Sequence, residues 1–403
     1  MSQADLVSLV VVLAAATGAV IVSDAFRRFA VPVVVVEILA GVALGPHALG
    51  LARPTPLVAG LAALGACFLF FLAGHEVAPS RLRGWPISSG FAGWALSLCL
   101  ATLCVAAFRV AGLRVAGPYL VLALSTTALG ILMPVLRDRG LLDRPLGVAV
   151  AAAGVAGWVC PLIALTFLQS AGSAVSTAAG LAAFVAAVAA SVVIVTKVRP
   201  ERPLSLLRST LESSGQLAVR GAVLLLLLLL LAAALLHVNL LFAAFCAGAV
   251  LRTATPPGDW KTLRSRLDAV GFGLLVPTFF ITTGMSVNVA VFWHGGAALL
   301  AAAFFAAFLL VRGTPALLAL RRLGARDAAA LGFYASTKLP LLVVIAVAAR
   351  SSGAMDAETA SALIAAATLS VAVFPLIAAR LSTERAGTHS PPDSHESLVR
   401  DIS

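Results

Sequence analysis

Charge is what this 403-residue chain has least of: 11% of it is Asp, Glu, Lys or Arg, against 61% hydrophobic residues. A soluble domain carries about a quarter charged residues, so a water-soluble fold is excluded and an all-α polytopic membrane protein remains. Acids are scarcer than bases, 17 against 28, and none occurs between Asp143 and Glu201. The lysines are three: Lys197, Lys261 and Lys338. Cysteine is also rare. Cys67, Cys99, Cys104, Cys160 and Cys246 lie in or beside apolar runs without ligand-like spacing. Packing is therefore expected of them, rather than disulfides or a metal. No Gly-rich nucleotide fingerprint is present, so no cofactor is expected and the chain does not read as an enzyme.

What the chain has in abundance is long apolar runs. A membrane-crossing helix needs about 20 mostly apolar residues. Thirteen such spans can be placed, at roughly 6–26, 31–49, 56–75, 86–108, 117–136, 145–169, 174–196, 217–236, 239–252, 267–287, 295–319, 327–349 and 358–380. Asp5 stands where a cleaved signal would carry basic residues, so the first span reads as a retained helix. The net charge of +11 raises nucleic acid as a partner, but its placement points to the lipid bilayer instead. Twenty-one Lys and Arg fall after odd-numbered spans or in the tail, and Arg53, Arg109, Arg114 and Arg350 on the other side. This bias puts the N-terminus outside and the C-terminus in the cytoplasm of a multi-pass protein of the cytoplasmic membrane.

Three pairs of short segments echo each other in order. "EILAGVALGP" (37–46) matches "AFCAGAVLRT" (244–253), "FLFFLAGHEV" (68–77) matches "VPTFFITTGMSV" (276–287), and "LALSTTALG" (122–130) matches "FYASTKLPL" (333–341). Paired spans are offset by seven in the order of helices, and an odd offset reverses orientation and predicts inverted repeats over about 31–195 and 239–380. A cytoplasmic linker at 196–216 would join them inside one transmembrane domain, 1–381, followed by a disordered cytoplasmic tail at 382–403. In the third pair Ser and Thr interrupt an apolar span, and Pro340 removes a backbone donor. The spacing predicts two discontinuous helices that cross. Ser125, Thr126, Thr127, Ser336, Thr337 and Lys338 would line the site there, satisfying backbone groups that the breaks leave unpaired.

Ionisable groups inside apolar spans are functional candidates because their burial is costly. Lys338 has two main readings: a fixed charge on the carbonyl ends of half-helices, or a group that titrates or binds during transport. Glu37 is a candidate for proton coupling or gating, or a local structural pair. Arg312 reads either as one half of a structural ion pair or as part of an ion path. His75 and Glu76, at the end of the third span, are expected to be solvated.

"VPVVVVEILAGVALGP" (31–46), "LGACFLFFLAGHEV" (64–77), "STTALGILMPVLRDRGLL" (125–142) and "GFGLLVPTFFITTGMSVN" (271–288) resemble successive signatures of the monovalent cation:proton antiporter superfamily, the bacterial sodium/hydrogen exchanger group. The resemblance spans about 6–380. It implies crossed broken helices, a homodimer, elevator-like alternating access, and antiport of Na⁺ or K⁺ against protons. One departure stands out. The sixth helix of that family carries an acid that binds cation and proton in turn, whereas "PLGVAVAAAGVAGWVCPLIALTFLQ" (145–169) holds only Gly, Val, Ala and Trp across 154–158. If protons are coupled here, Lys338 or Glu37 must carry them. Two alternatives stay open: an anion or organic-substrate transporter on the same fold, and a non-transporting membrane sensor that has lost the ion site.

Overall fold

A computed structural model describes residues 2–25, 32–76, 84–112, 117–170, 172–197, 216–255, 260–294 and 296–382. The expected linker and tail lie almost wholly outside these residues. Among them the chain is helical, with no strand. In order the helices are α1 (Gln3–Ala25), α2 (Val33–Leu44), α3 (Pro56–Glu76), α4 (Trp85–Val110), α5 (Gly117–Ser125), α6 (Leu129–Asp138), α7 (Pro145–Gln169) and α8 (Ala174–Lys197). Then come α9 (Leu217–Leu235), α10 (Leu240–Ala254), α11 (Trp260–Val270), α12 (Val276–Met285), α13 (Gly296–Phe308), α14 (Leu320–Ser336), α15 (Leu341–Ser351) and α16 (Ala357–Leu381). A π-turn over 271–275 joins α11 to α12, and π and 3₁₀ turns over 309–319 join α13 to α14.

Among the described residues ten helical stretches are long and apolar enough to cross a membrane, and α2 and α10 are shorter apolar helices. These stand against thirteen expected spans. One stretch, 296–351, covers two of the expected spans, 295–319 and 327–349, and between them Gly324 leaves the helical region at φ +79°.

The helices pack as two groups. α1, α2, α3 and α8–α12 form the first, and α4–α7 with α13–α16 the second. Lipid offers no hydrophobic drive for helix association, so close backbone approach between small residues takes its place. α2 and α12 meet at Gly41 and Gly284, and a Cβ on either would collide with the facing backbone at Ile281 or Ile38. α3 and α10 meet in the same way at Gly74 and Gly248. Polar caps are few: Asn239 Oδ1 accepts from Leu241 N at 3.0 Å to start α10, and Asp356 Oδ1 accepts from Thr359 N at 2.7 Å to start α16.

Two helices of the second group are broken inside the membrane. Between α5 and α6 residues 126–128 leave the helical ladder, and between α14 and α15 so do 337–340. Local chemistry accounts for both. Thr126 Oγ1 donates back to Ala123 O at 2.8 Å, and Ser336 Oγ to Gly332 O at 2.7 Å, competing with the backbone ladder. Pro340 then starts α15 with no N–H to offer.

Candidate functional site

The two breaks touch. Ala128 N donates to Thr337 O at 2.8 Å, and Thr127 Oγ1 donates to Ala335 O at 2.8 Å. Each break thus supplies partners that the other lacks, which an interruption in hydrocarbon requires. All six residues expected at the crossing are there and buried: Ser125, Thr126, Thr127, Ser336, Thr337 and Lys338 are at most 1% exposed. Their roles in the geometry differ. Ser125, Thr126, Ser336 and Thr337 donate to carbonyls of their own half-helix, three or four residues back. Of the five hydroxyls only Thr127 reaches across.

Lys338 is held from three sides. Its Nζ donates to Leu124 O at 2.7 Å and to Thr126 O at 2.6 Å, and lies 5.3 Å from the centre of the Phe308 ring. Its backbone N donates to Ser370 Oγ of α16 at 2.9 Å. The two carbonyls belong to the C-terminal end of α5, the negative pole of that half-helix, which is where a cation is favoured. Charge-assisted bonds of this kind are the strong ones.

A second buried cation reaches the same crossing. Arg312, 2% exposed, donates from Nε to Thr127 Oγ1 at 3.0 Å, from Nη1 to Ser97 Oγ at 3.2 Å and from Nη2 to Ala153 O at 2.8 Å. No carboxylate among the described residues bonds Arg312 or Lys338. The structural ion pair expected as one alternative for Arg312 is not formed among the described residues: its partners are hydroxyls and a carbonyl, and it ties α4 and α7 to the break at Thr127. Trp158 adds a further tie, its Nε1 donating to Thr127 O while its ring stacks on Phe70 at 4.1 Å.

The window 154–158 of α7, where an acid would be expected, faces this assembly. A Cβ at Gly157 would stand 2.9 Å from Thr127 Oγ1 and 3.1 Å from Arg312 Nη2, and one at Gly154 would meet Leu129. Small residues there leave the space that Thr127, Leu129 and the Arg312 guanidinium fill. The sequence signalled the gap but not its occupant.

Glu37 stands in the first helix group, on α2, which packs against α1, α12 and α16. It is 4% exposed and makes no hydrogen bond or ion pair with any described residue. The local structural pair, one reading of it, is thus not formed among the described residues. The expectation of solvated His75 and Glu76 is overturned: His75 is 1% exposed, and Glu76 is bonded to Arg137 and Arg264.

A cavity of about 1170 Å³ opens between the groups on the face that carries Pro54, Ser170 and His237. Cys67, Phe279 and Thr282 line it from the first group, and Thr166, Val343 and Val344 from the second. Val343 lies three residues beyond Pro340, so the cavity descends towards the break. None of its lining residues is acidic.

Residues 11–383 match the model of the transmembrane sodium/hydrogen exchangers. The chain belongs to that family. Sodium/hydrogen exchanger relatives are distant. The YjbQ protein of Bacillus subtilis is 24% identical over 396 residues, which cover 93% of this chain and 63% of that protein. Cation/H⁺ antiporter 17 of Arabidopsis thaliana is 27% identical over 333 residues, 76% of this chain and 40% of its own. The chain thus spans about two thirds or less of the curated relatives it matches. Among solved structures, the sodium proton antiporter MjNhaP1 of Methanocaldococcus jannaschii superposes with a TM-score of 0.66 at 16% identity, covering 95% of this chain and all of that one. The two chains therefore share a fold.

Proposed function

We propose that the protein is a secondary active transporter that exchanges a monovalent cation, Na⁺ or K⁺, for protons across the cytoplasmic membrane, with Lys338 carrying the exchanged proton. The observation that supports this most is the Lys338 ammonium on Leu124 O and Thr126 O at the crossing. A cation entering from the cavity would compete for those two carbonyls, with lone pairs of Ser125, Thr126 and Ser336 nearby. As it binds, Lys338 releases one proton to water on that side and becomes a neutral amine. When the cation leaves on the other side, Lys338 takes a proton back. The site holds one exchangeable positive charge in either state, so one cation moves against one proton and no acid in α7 is needed.

Other parts of the reading rest on pattern. The breaks at 126–128 and 337–340 begin 211 residues apart, close to the offset between the repeats read at 31–195 and 239–380, which supports that division. The charge bias favours the N-terminus outside, and the family favours a homodimer. Glu37, buried and unpaired with any described residue, is the other group through which protons would be coupled or the path gated.

The test is proton flux in proteoliposomes carrying an internal pH dye. Na⁺, K⁺ or Li⁺ is added to wild type and to Lys338→Ala. Cation-driven flux in wild type, lost in the variant, is the expected result. Flux that survives in Lys338→Ala moves the proton to another residue. A second reading is favoured by one observation, that both buried cations at the crossing bond no carboxylate among the described residues. It is anion transport on the same fold, and an anion gradient that drives uptake where cations do not would select it.

A further inference from the structure

The two helix groups are apart on one face and joined on the other. The open face is the cavity between them. On the opposite face Glu76, the last residue of α3, accepts from Arg137 Nη2 at 2.8 Å. α3 belongs to the first group and Arg137 to α6 of the second, so this ion pair spans the groups. The same oxygen, Oε1, also accepts from Arg264 of α11, which is oriented by Asp268 Oδ2 at 3.1 Å from its Nε. Glu76 is therefore fixed by its own group while it holds the other. Trp260 braces the arrangement, with Arg252 4.8 Å and Arg264 5.5 Å from its ring centre and His75 stacked at 6.3 Å.

The cluster is also under-satisfied. Nine buried side-chain atoms among the described residues have no hydrogen-bond partner, and six of them are here: both ring nitrogens of His75, Glu76 Oε2, Trp260 Nε1, Arg264 Nη1 and Asp268 Oδ1. Each such atom raises the free energy of the closed arrangement, and water entering between the groups would pair them all. A contact that holds two bodies together while its own groups gain from hydration is poised to open.

We propose that Glu76 is the latch of the closed face: its bond to Arg137 keeps the groups together there while the opposite cavity is open, and its release admits water to the crossing from the second side. This rests on the transport reading only for its purpose; the latch itself is a statement about two conformations. It is tested on the full chain in lipid nanodiscs, with the five native cysteines replaced and nitroxide labels on Arg144→Cys, in the second group, and Lys261→Cys, in the first, both exposed positions. Electron–electron distance measurements on the parent should give a dominant short population. In Glu76→Gln and Arg137→Gln the ratio of long to short populations should rise about fivefold or more, as loss of a charge-assisted hydrogen bond implies.

Arg137 has 35% of its side chain exposed, so Arg137→Gln tests the latch even where Glu76→Gln fails to fold. An unchanged distance distribution in folded Arg137→Gln overturns the proposal. Shifted distances without cation-driven proton flux would support the latch and sink the antiport reading, and flux with unshifted distances would do the reverse.

Discussion

Thr127 is where the crossing is tied together, and Thr127→Val keeps its shape while removing the tie. Its Oγ1 donates to Ala335 O at 2.8 Å and accepts from Arg312 Nε at 3.0 Å. In the variant a buried carbonyl is left unpaired, at about 1–3 kcal/mol, and a buried guanidinium loses a bond of about 1.5–3 kcal/mol. The added methyl returns about 0.8 kcal/mol at most, so the net loss is about 2–5 kcal/mol. Thr127→Ser keeps the hydroxyl and loses one methyl, about 1 kcal/mol. Thermal unfolding of the purified protein in a single detergent, read by tryptophan fluorescence, ranks the three, and Trp158 bonds the same residue. The expected order is wild type, then Thr127→Ser, then Thr127→Val. A Val variant as stable as the Ser variant would refute the hydroxyl as a structural tie and with it the account of Arg312.

Two further outcomes follow from the packing. Gly157→Asp puts a carboxylate beside Arg312, whose Nη2 would lie 3.1 Å from the new Cβ; proteoliposome assays should show a changed cation dependence of proton flux, and a variant identical to wild type would mean that α7 takes no part in ion selection. Gly248→Ala drives a methyl into the Phe71 carbonyl, whereas Gly18 has nothing within 4 Å of its Cβ position. The Gly248 variant should lose its monodisperse peak in size-exclusion chromatography while Gly18→Ala keeps it, and equal yields would contradict the close contact of α3 and α10.

Much of the fold was readable because membrane insertion and helix interruption are local properties. Apolar runs alone mark where helices cross lipid, and a Ser-Thr pair within such a run offers hydroxyls that compete with the ladder. That is why the breaks at 126–128 and 337–340 fall on the residues singled out, and why Lys338 lies within the second of them. The π and 3₁₀ turns over 309–319 were less legible, since they fall inside a single apolar run that reads as one regular helix. His75 and Glu76 misled because a charged pair at a span end looks the same whether it meets water or another helix.

The sequence by itself determined the solvent of this protein, the places where its helices break and the absence of an acid from 154–158. Only the tertiary structure decided what stands in that acid's place and what holds the two helix groups together. Arg312 reaches Ser97 across 215 residues of chain, Lys338 reaches Leu124 across 214, and Arg137 reaches Glu76 across 61. A hydrogen bond between distant residues depends on which helix faces pack, and in lipid that choice rests on small residues, such as Gly41, Gly157 and Gly248, whose lack of a side chain carries no mark of the partner each one admits.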